Sequence, residues 1–169
     1  MTSTEQKKTF EDWLSSYKAL LFKVVRAYAF NADDQDDLFQ DICIQVWASI
    51  PNFKKQSGVS TWLYRIALNT TFKWLRKEKK FNKEKDQNEL GHILYESMTA
   101  PDDRLDWLYG EIKKLDEVDR SITLLMLDCY SYKEMAEMLG ITTSNIGVKI
   151  NRIKKHLITR SEQYEKQAS

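Results

Sequence analysis

Apolar residues recur along this chain at steps of three and four, and no convincing run alternates at period two, so helices are predicted and strands are not. Phe10, Trp13, Leu14, Tyr17, Leu20, Leu21, Val24, Val25 and Tyr28 form a first stripe. They predict an amphipathic helix of about five turns that ends near Asn31. Residues 1–9, which precede the stripe, are expected to form a frayed tail. In the following ADDQDD, Asp33 or Asp34 can cap a second helix, and Asp36 and Asp37 suit the positive end of its dipole. Leu38, Ile42, Cys43, Val46, Trp47 and Ile50 carry that helix to a break at Pro51. After a turn at Gln56-Ser57-Gly58, Ser60 or Thr61 can cap a third helix. Its inward face is Leu63, Ala67, Leu68, Phe72 and Leu75.

Residues 81–100 are mixed and weakly periodic, which predicts a linker with a short helical turn at Ile93 to Tyr95. Pro101, Asp102 and Asp103 then open a helix bearing Leu105, Leu108, Ile112 and Leu115. Another begins near Glu117 and bears Val118, Ile122, Leu125, Met126 and Cys129. The stretch SYKEMAEMLGITTSNIGVKINRIKKHL has the spacing of a helix-turn-helix. Ala136 is small where two helices cross, Gly140 can take the positive φ of the turn, and Thr142 can cap the second helix. Ile146, Ile150, Ile153 and Leu157 should face inward. Thr143, Ser144, Asn145, Val148, Lys149, Asn151, Arg152 and Lys155 are then left for the outer side. Short polar groups followed by cations suit a helix that reads a DNA major groove. The predicted fold is all-α, with two small helical domains, residues 1–80 and 101–169, joined by a flexible linker.

Composition narrows this only where it is uneven. A 42% hydrophobic and 30% charged chain can bury a core, and its formal net charge of +1 suggests no partner. The distribution does. Between Pro51 and Lys85 ten cations meet only Glu78 and Glu84, whereas from Asp86 to Asp119 ten acids face Arg104, Lys113 and Lys114. Cations return after Ser131, so two basic blocks flank an acidic one, as two polyanion-binding units would require. The N-terminal MTSTEQKKTFEDW has no apolar signal core and no apolar run approaches membrane-spanning length. A cytoplasmic protein without direct membrane insertion is expected. Cys43 and Cys129 are expected to be buried, reduced thiols.

Candidate chemistry is concentrated in the third helix and its preceding loop. Trp62, Ile66, Asn69, Lys73 and Arg76 share a face, with Phe53, Lys54, Ser60, Thr61 and Arg65 close by in sequence. An exposed aromatic and an amide among cations suit stacking on bases while neutralising phosphates, although a core helix with a solvated basic end has the same pattern. On the second helix, Asp37, Gln40, Asp41, Ile44, Gln45 and Ala48 lie opposite the apolar stripe. Ile44 breaks a polar face there, which fits either a docking surface or a solvated acidic face with one stray Ile. Asp33, Asp34, Asp36, Asp37 and Asp41 lack the glycine and terminal Glu of a calcium loop. His92 and His156 have no companion ligands at metal spacing, and no phosphate-cradling loop or nucleophile triad is present. No enzyme activity, metal or cofactor is expected.

Asp37-Leu38-Phe39-Gln40-Asp41, Trp47, the Pro51-Asn52-Phe53 loop and STWLYRIALNT closely resemble region 2 of bacterial sigma factors. The C-terminal helix-turn-helix resembles their region 4, and the two-region make-up resembles the extracytoplasmic-function (ECF) group. The resemblance implies a dissociable subunit of core RNA polymerase that recognises the −35 and −10 promoter elements and promotes melting. It places Asp37, Gln40, Asp41, Ile44, Gln45 and Ala48 on the β′ clamp helices, with the β flap as a second polymerase contact. It assigns Phe53 and Asn69 to a pocket for a base flipped from the −10 element. Trp62, Lys73 and Arg76 would hold the melted strand, and the helix from Thr143 would read the −35 duplex. The linker would thread toward the RNA exit channel. An anti-sigma factor is implied as a further partner. Gly147 and Val148 depart from the cation and small polar residue more frequent in this family, and Gln45 from a frequent cation. The alternative from the residues alone is a stand-alone helix-turn-helix regulator with an N-terminal partner-binding domain.

Overall fold

A computed structural model describes residues 1–81 and 102–168. The linker expected over 81–100, with its turn at Ile93 to Tyr95, lies outside the described residues apart from Phe81. The described residues form seven α-helices and one 3-10 turn, and no strand. The chain divides into two compact units, Met1–Asp102 and Asp103–Ser169.

In the first unit, α1 (Ser3–Tyr28), α2 (Ala32–Ser49) and α3 (Val59–Phe81) pack pairwise into a three-helix bundle. Its core takes Leu21, Val24 and Val25 from α1, Leu38, Ile42 and Val46 from α2, and Leu63, Tyr64, Ala67 and Leu68 from α3. These are the inward stripes that helical periodicity requires. Phe22 and Phe39 stack in parallel at 4.5 Å across α1 and α2. Thr71 is fully buried without an orphaned hydroxyl, because its Oγ1 donates to the Ala67 carbonyl at 2.7 Å.

The start of α1 corrects the expected frayed tail. Thr2 and Glu5 form a reciprocal capping box, and Gln6 Nε2 donates to the Trp47 carbonyl at 2.8 Å. Phe10 then meets Trp47 edge-on at 5.5 Å. The cap satisfies amides that would otherwise fray, so the helix begins at Ser3. The Thr2 backbone and side-chain hydrogen bonds also hold the Glu5 carboxyl below its ordinary value. At the next boundary Asn31, not Asp33 or Asp34, caps α2, accepting the Asp34 N–H at 2.8 Å. Gln35 Nε2 bonds the Ala29 carbonyl at 3.0 Å across the turn. α3 likewise starts earlier than expected, at Val59. Its first-turn bond runs from Trp62 N–H to the Gly58 carbonyl, so Ser60 and Thr61 lie inside the turn instead of capping it.

The second unit comprises α4 (Asp103–Lys113), α5 (Glu117–Leu127), α6 (Tyr132–Leu139) and α7 (Thr143–Ala168). Asp116 caps α5, and Ser131 with Glu134 forms a second capping box at α6. Gly140 takes φ 70°, and its N–H bonds the Ala136 carbonyl at the end of α6. Thr142 Oγ1 accepts the Asn145 N–H at the start of α7. Ile146, Ile150 and Ile153 are buried as their spacing required. Cys129 is not buried. α5 stops at Leu127, and Cys129 sits exposed at φ 64° with its N–H on the Met126 carbonyl, so the left-handed termination swings it off the apolar stripe. Cys43 is half-buried, and burial pushes its thiol up from the ordinary value.

Candidate nucleic-acid and docking surfaces

α3 is held by an inner face of Leu63, Tyr64, Ala67, Leu68, Thr71 and Trp74, all buried. Its opposite side therefore projects from a fixed rod. Arg65, Asn69, Lys73 and Arg76, separated by four, four and three residues, are all exposed and lie on one side of it. Lys54 is exposed in the preceding loop, while Ser60 and Thr61 are half-buried.

That loop is sharply bent. Lys55 adopts φ 58°, an uncommon conformation for a side chain with a Cβ. Phe53 is half-buried, with its ring 5.3 Å from Trp13 at 89° and 5.5 Å from Trp62 at 52°. These separations fall in the range where aromatic pairs attract beyond their buried area. The structure thus brings Phe53 together with Trp13 and Trp62. Trp62 is half-buried, not the exposed aromatic expected, because Phe53 leans on it. Its Nε1 is enclosed with no hydrogen-bond partner among the described residues. Trp13 was not foreseen here, since its place in the α1 stripe reads equally well as core.

On α2, Leu38, Ile42 and Val46 point into the bundle and leave Asp37, Gln40, Gln45 and Ala48 exposed, with Asp41 half-buried. Ile44 is 60% exposed in the middle of this face. The stray apolar residue is therefore at the surface.

On α7, Thr143, Ser144, Asn145, Val148, Asn151, Arg152 and Lys155 are exposed, Val148 by 66%. Lys149 is the exception to the outward expectation. Its side chain is only 22% exposed and its Nζ lies 3.4 Å from Asp119 Oδ1. Arg152 donates to the other oxygen of the same carboxylate at 3.1 Å. Asp119 is buried, so two cations from α7 converge on one enclosed acid from α5.

A second acid, Glu111 on α4, is 3% exposed and takes two guanidinium bonds from Arg160, at 3.3 and 3.2 Å, and one from Lys114 at 3.2 Å. Burial raises the Glu111 carboxyl, but the Arg160 and Lys114 bonds outweigh it and leave the group below its ordinary value. Trp107 stacks on Tyr164 at 5.3 Å, tying α4 to the far end of α7. Sequence reasoning missed Asp119, Glu111 and Arg160. The available signal was one acid a helical turn before the buried Ile122, Asp119, and another directly beside the buried Ile112, Glu111. Among the described residues no group of three or more His, Cys, Asp or Glu could hold a metal ion. No helix among them is long and apolar enough to cross a membrane.

Residues 13–81 match the family model for Sigma-70 region 2, and residues 105–157 match that for Sigma-70, region 4. The chain is 26% identical over 171 residues to RNA polymerase sigma factor YlaC of Bacillus subtilis, covering 96% of this chain and 99% of that protein. It is 27% identical to the ECF RNA polymerase sigma factor SigW of the same organism, covering 85% of this chain and 83% of that one. The fold is similar to that of sigma factor RpoE in its co-crystal with the anti-sigma factor NepR from Bartonella quintana. That similarity has a TM-score of 0.73 at 20% identity, over 89% of this chain and 94% of that one.

Proposed function

Because this chain belongs to the sigma-70 family of RNA polymerase sigma factors, in its extracytoplasmic-function group, we propose how its surfaces divide the work of initiation. A sigma factor binds core RNA polymerase and promoter DNA. In our reading residues 1–80 dock on polymerase and engage the −10 element, and residues 101–169 engage the −35 element. Asp37, Gln40, Asp41, Ile44, Gln45 and Ala48 form the polymerase-docking face. Arg65, Asn69, Lys73 and Arg76 take the melted strand along α3, with Phe53, Lys54, Ser60, Thr61 and Trp62 at its near end. Thr143, Ser144, Asn145, Val148, Asn151, Arg152 and Lys155 face the −35 duplex, with Lys149 behind them on Asp119. The protein acts without catalytic chemistry of its own and works in the cytoplasm, where an anti-sigma factor restrains it.

The observation that carries this reading is the exposed line Arg65, Asn69, Lys73 and Arg76 on a helix whose other side is locked in the core. A rigid row of cations with one amide among them tracks a phosphate backbone while offering base-edge hydrogen bonds. Two substitutions test the division. Asn69→Ala is expected to reduce open-complex formation about tenfold, the worth of one base contact, while binding to core polymerase persists. Ile44→Glu is expected to weaken core binding about tenfold or more, because docking would desolvate an unpaired charge. Permanganate reactivity of promoter thymines reads the first, and competition for core polymerase reads the second. Unchanged behaviour in both would overturn the assignment.

A further inference from the structure

Asp119 lies on α5, outside every surface assigned above, yet it is bonded to two residues of the DNA-facing helix. We infer that Asp119 is a positioning residue for −35 recognition, fixing Lys149 and Arg152 on α7 so that duplex is read with a set geometry. This rests on the sigma-factor reading of α7.

The carboxylate is built in from several sides. Its own N–H is capped by Asp116 Oδ1 at 2.8 Å, and its carbonyl accepts Thr123 Oγ1 at 2.7 Å, so the backbone that carries it is held at both ends. The side chain is 8% exposed, with one oxygen on Lys149 Nζ and the other on Arg152. Lys149 is drawn down to 22% exposure, whereas Arg152, bonded through one guanidinium nitrogen, stays 61% exposed. A long cation on a solvated helix normally samples many rotamers. Charge-assisted bonds to a buried anchor remove that freedom before DNA arrives. Pre-organised side chains discriminate between duplexes better than mobile ones, because a wrong base pair cannot be accommodated by moving the cation. The Asp119 carboxylate also offsets about one positive charge's worth of the attraction that Lys149 and Arg152 exert on phosphate, which favours geometry over bulk electrostatics.

Asp119→Asn keeps the shape and the capped backbone and removes the charge. The test uses the full chain with core polymerase on the promoter identified for the wild type. Run-off transcription is compared between the native −35 element and a set of single-base substitutions. The wild type is expected to show about tenfold discrimination at its most sensitive positions. Asp119→Asn is expected to flatten that profile several-fold while still transcribing. A purely structural role would lower all templates by one common factor and leave the ratios untouched, and that result would overturn the proposal. If Asp119→Asn does not fold, Asp119→Glu gives the same reading, since it retains the charge but displaces it by one methylene. An unaltered profile in Asp119→Glu would then overturn the proposal. In a Lys149→Ala/Arg152→Ala background, removing the Asp119 charge should change the profile no further. A further change there would also overturn it. A wild type that yields no specific transcript defeats the parent reading first, and is recognised before any variant is compared.

Discussion

Single positions carry more of this molecule than their chemistry suggests. Gly147 sits in the first half of α7, and a Cβ built there would meet only Tyr132, 3.6 Å from Cε2 and 3.9 Å from Cδ2, at ordinary contact distances. Nothing in the backbone therefore requires glycine. Gly147→Ala is expected to stabilise the C-terminal unit by about 1 kcal/mol. In a unit of this size that raises its melting temperature by roughly 4–8 °C, measurable by thermal unfolding. A drop instead would mean that the close approach of Tyr132 tolerates no methyl. Gly140 was readable from sequence for the opposite reason: it follows the last apolar position of α6 and takes φ 70°. Cys129 was not readable, since its place in the α5 stripe gave no hint that the helix ends two residues earlier in a left-handed turn. Asn31 was not readable as the cap because Asp33 and Asp34 offered equally good ones, and only its bond to the Asp34 amide distinguishes it.

Among elements, α7 is the one on which most depends. Its apolar side is buried through Ile146, Ile150 and Ile153, and its polar side is largely exposed. Its last third reaches α4 through Arg160 and Tyr164, past the point where the region 4 match ends. The Glu111 bridge makes this contact pH-dependent. Glu111 is depressed below 4.5 in the folded protein, so its stabilisation is present above that value and is lost as pH falls through the folded value. The C-terminal unit should melt at progressively lower temperature below about pH 4.5, more steeply in the wild type than in Glu111→Gln. Circular dichroism melts at stepped pH check this, and parallel slopes would show that the bridge contributes nothing. The helix-turn-helix was legible because turn chemistry and apolar spacing agree over one short stretch. The bridges of Asp119 and Glu111 were not, because pairing between helices far apart in sequence leaves no periodic trace. The α3 surface was half legible. Its cations follow from the spacing, but the Trp13–Phe53–Trp62 cluster depends on a loop bend at Lys55.

Across the whole molecule, near-neutral net charge conceals two basic blocks separated by an acidic one. Among the described residues most of the first block's cations stand on α3, and most of the second block's stand on α7. A chain that contacts phosphate through both should bind DNA with a steep dependence on salt, whereas the docking face proposed for α2, centred on Ile44, should be far less sensitive. The two functions are therefore separable by conditions as well as by mutation. Transcription in vitro puts the central claim to the most direct test. Core RNA polymerase is combined with this protein on a pool of upstream fragments from its own genome, with and without the protein. Discrete transcripts that require the protein, whose starts align on shared −35 and −10 sequences, are the expected result. No new transcript, together with no association with core polymerase in a pull-down, would contradict it and leave a stand-alone helix-turn-helix regulator as the better description.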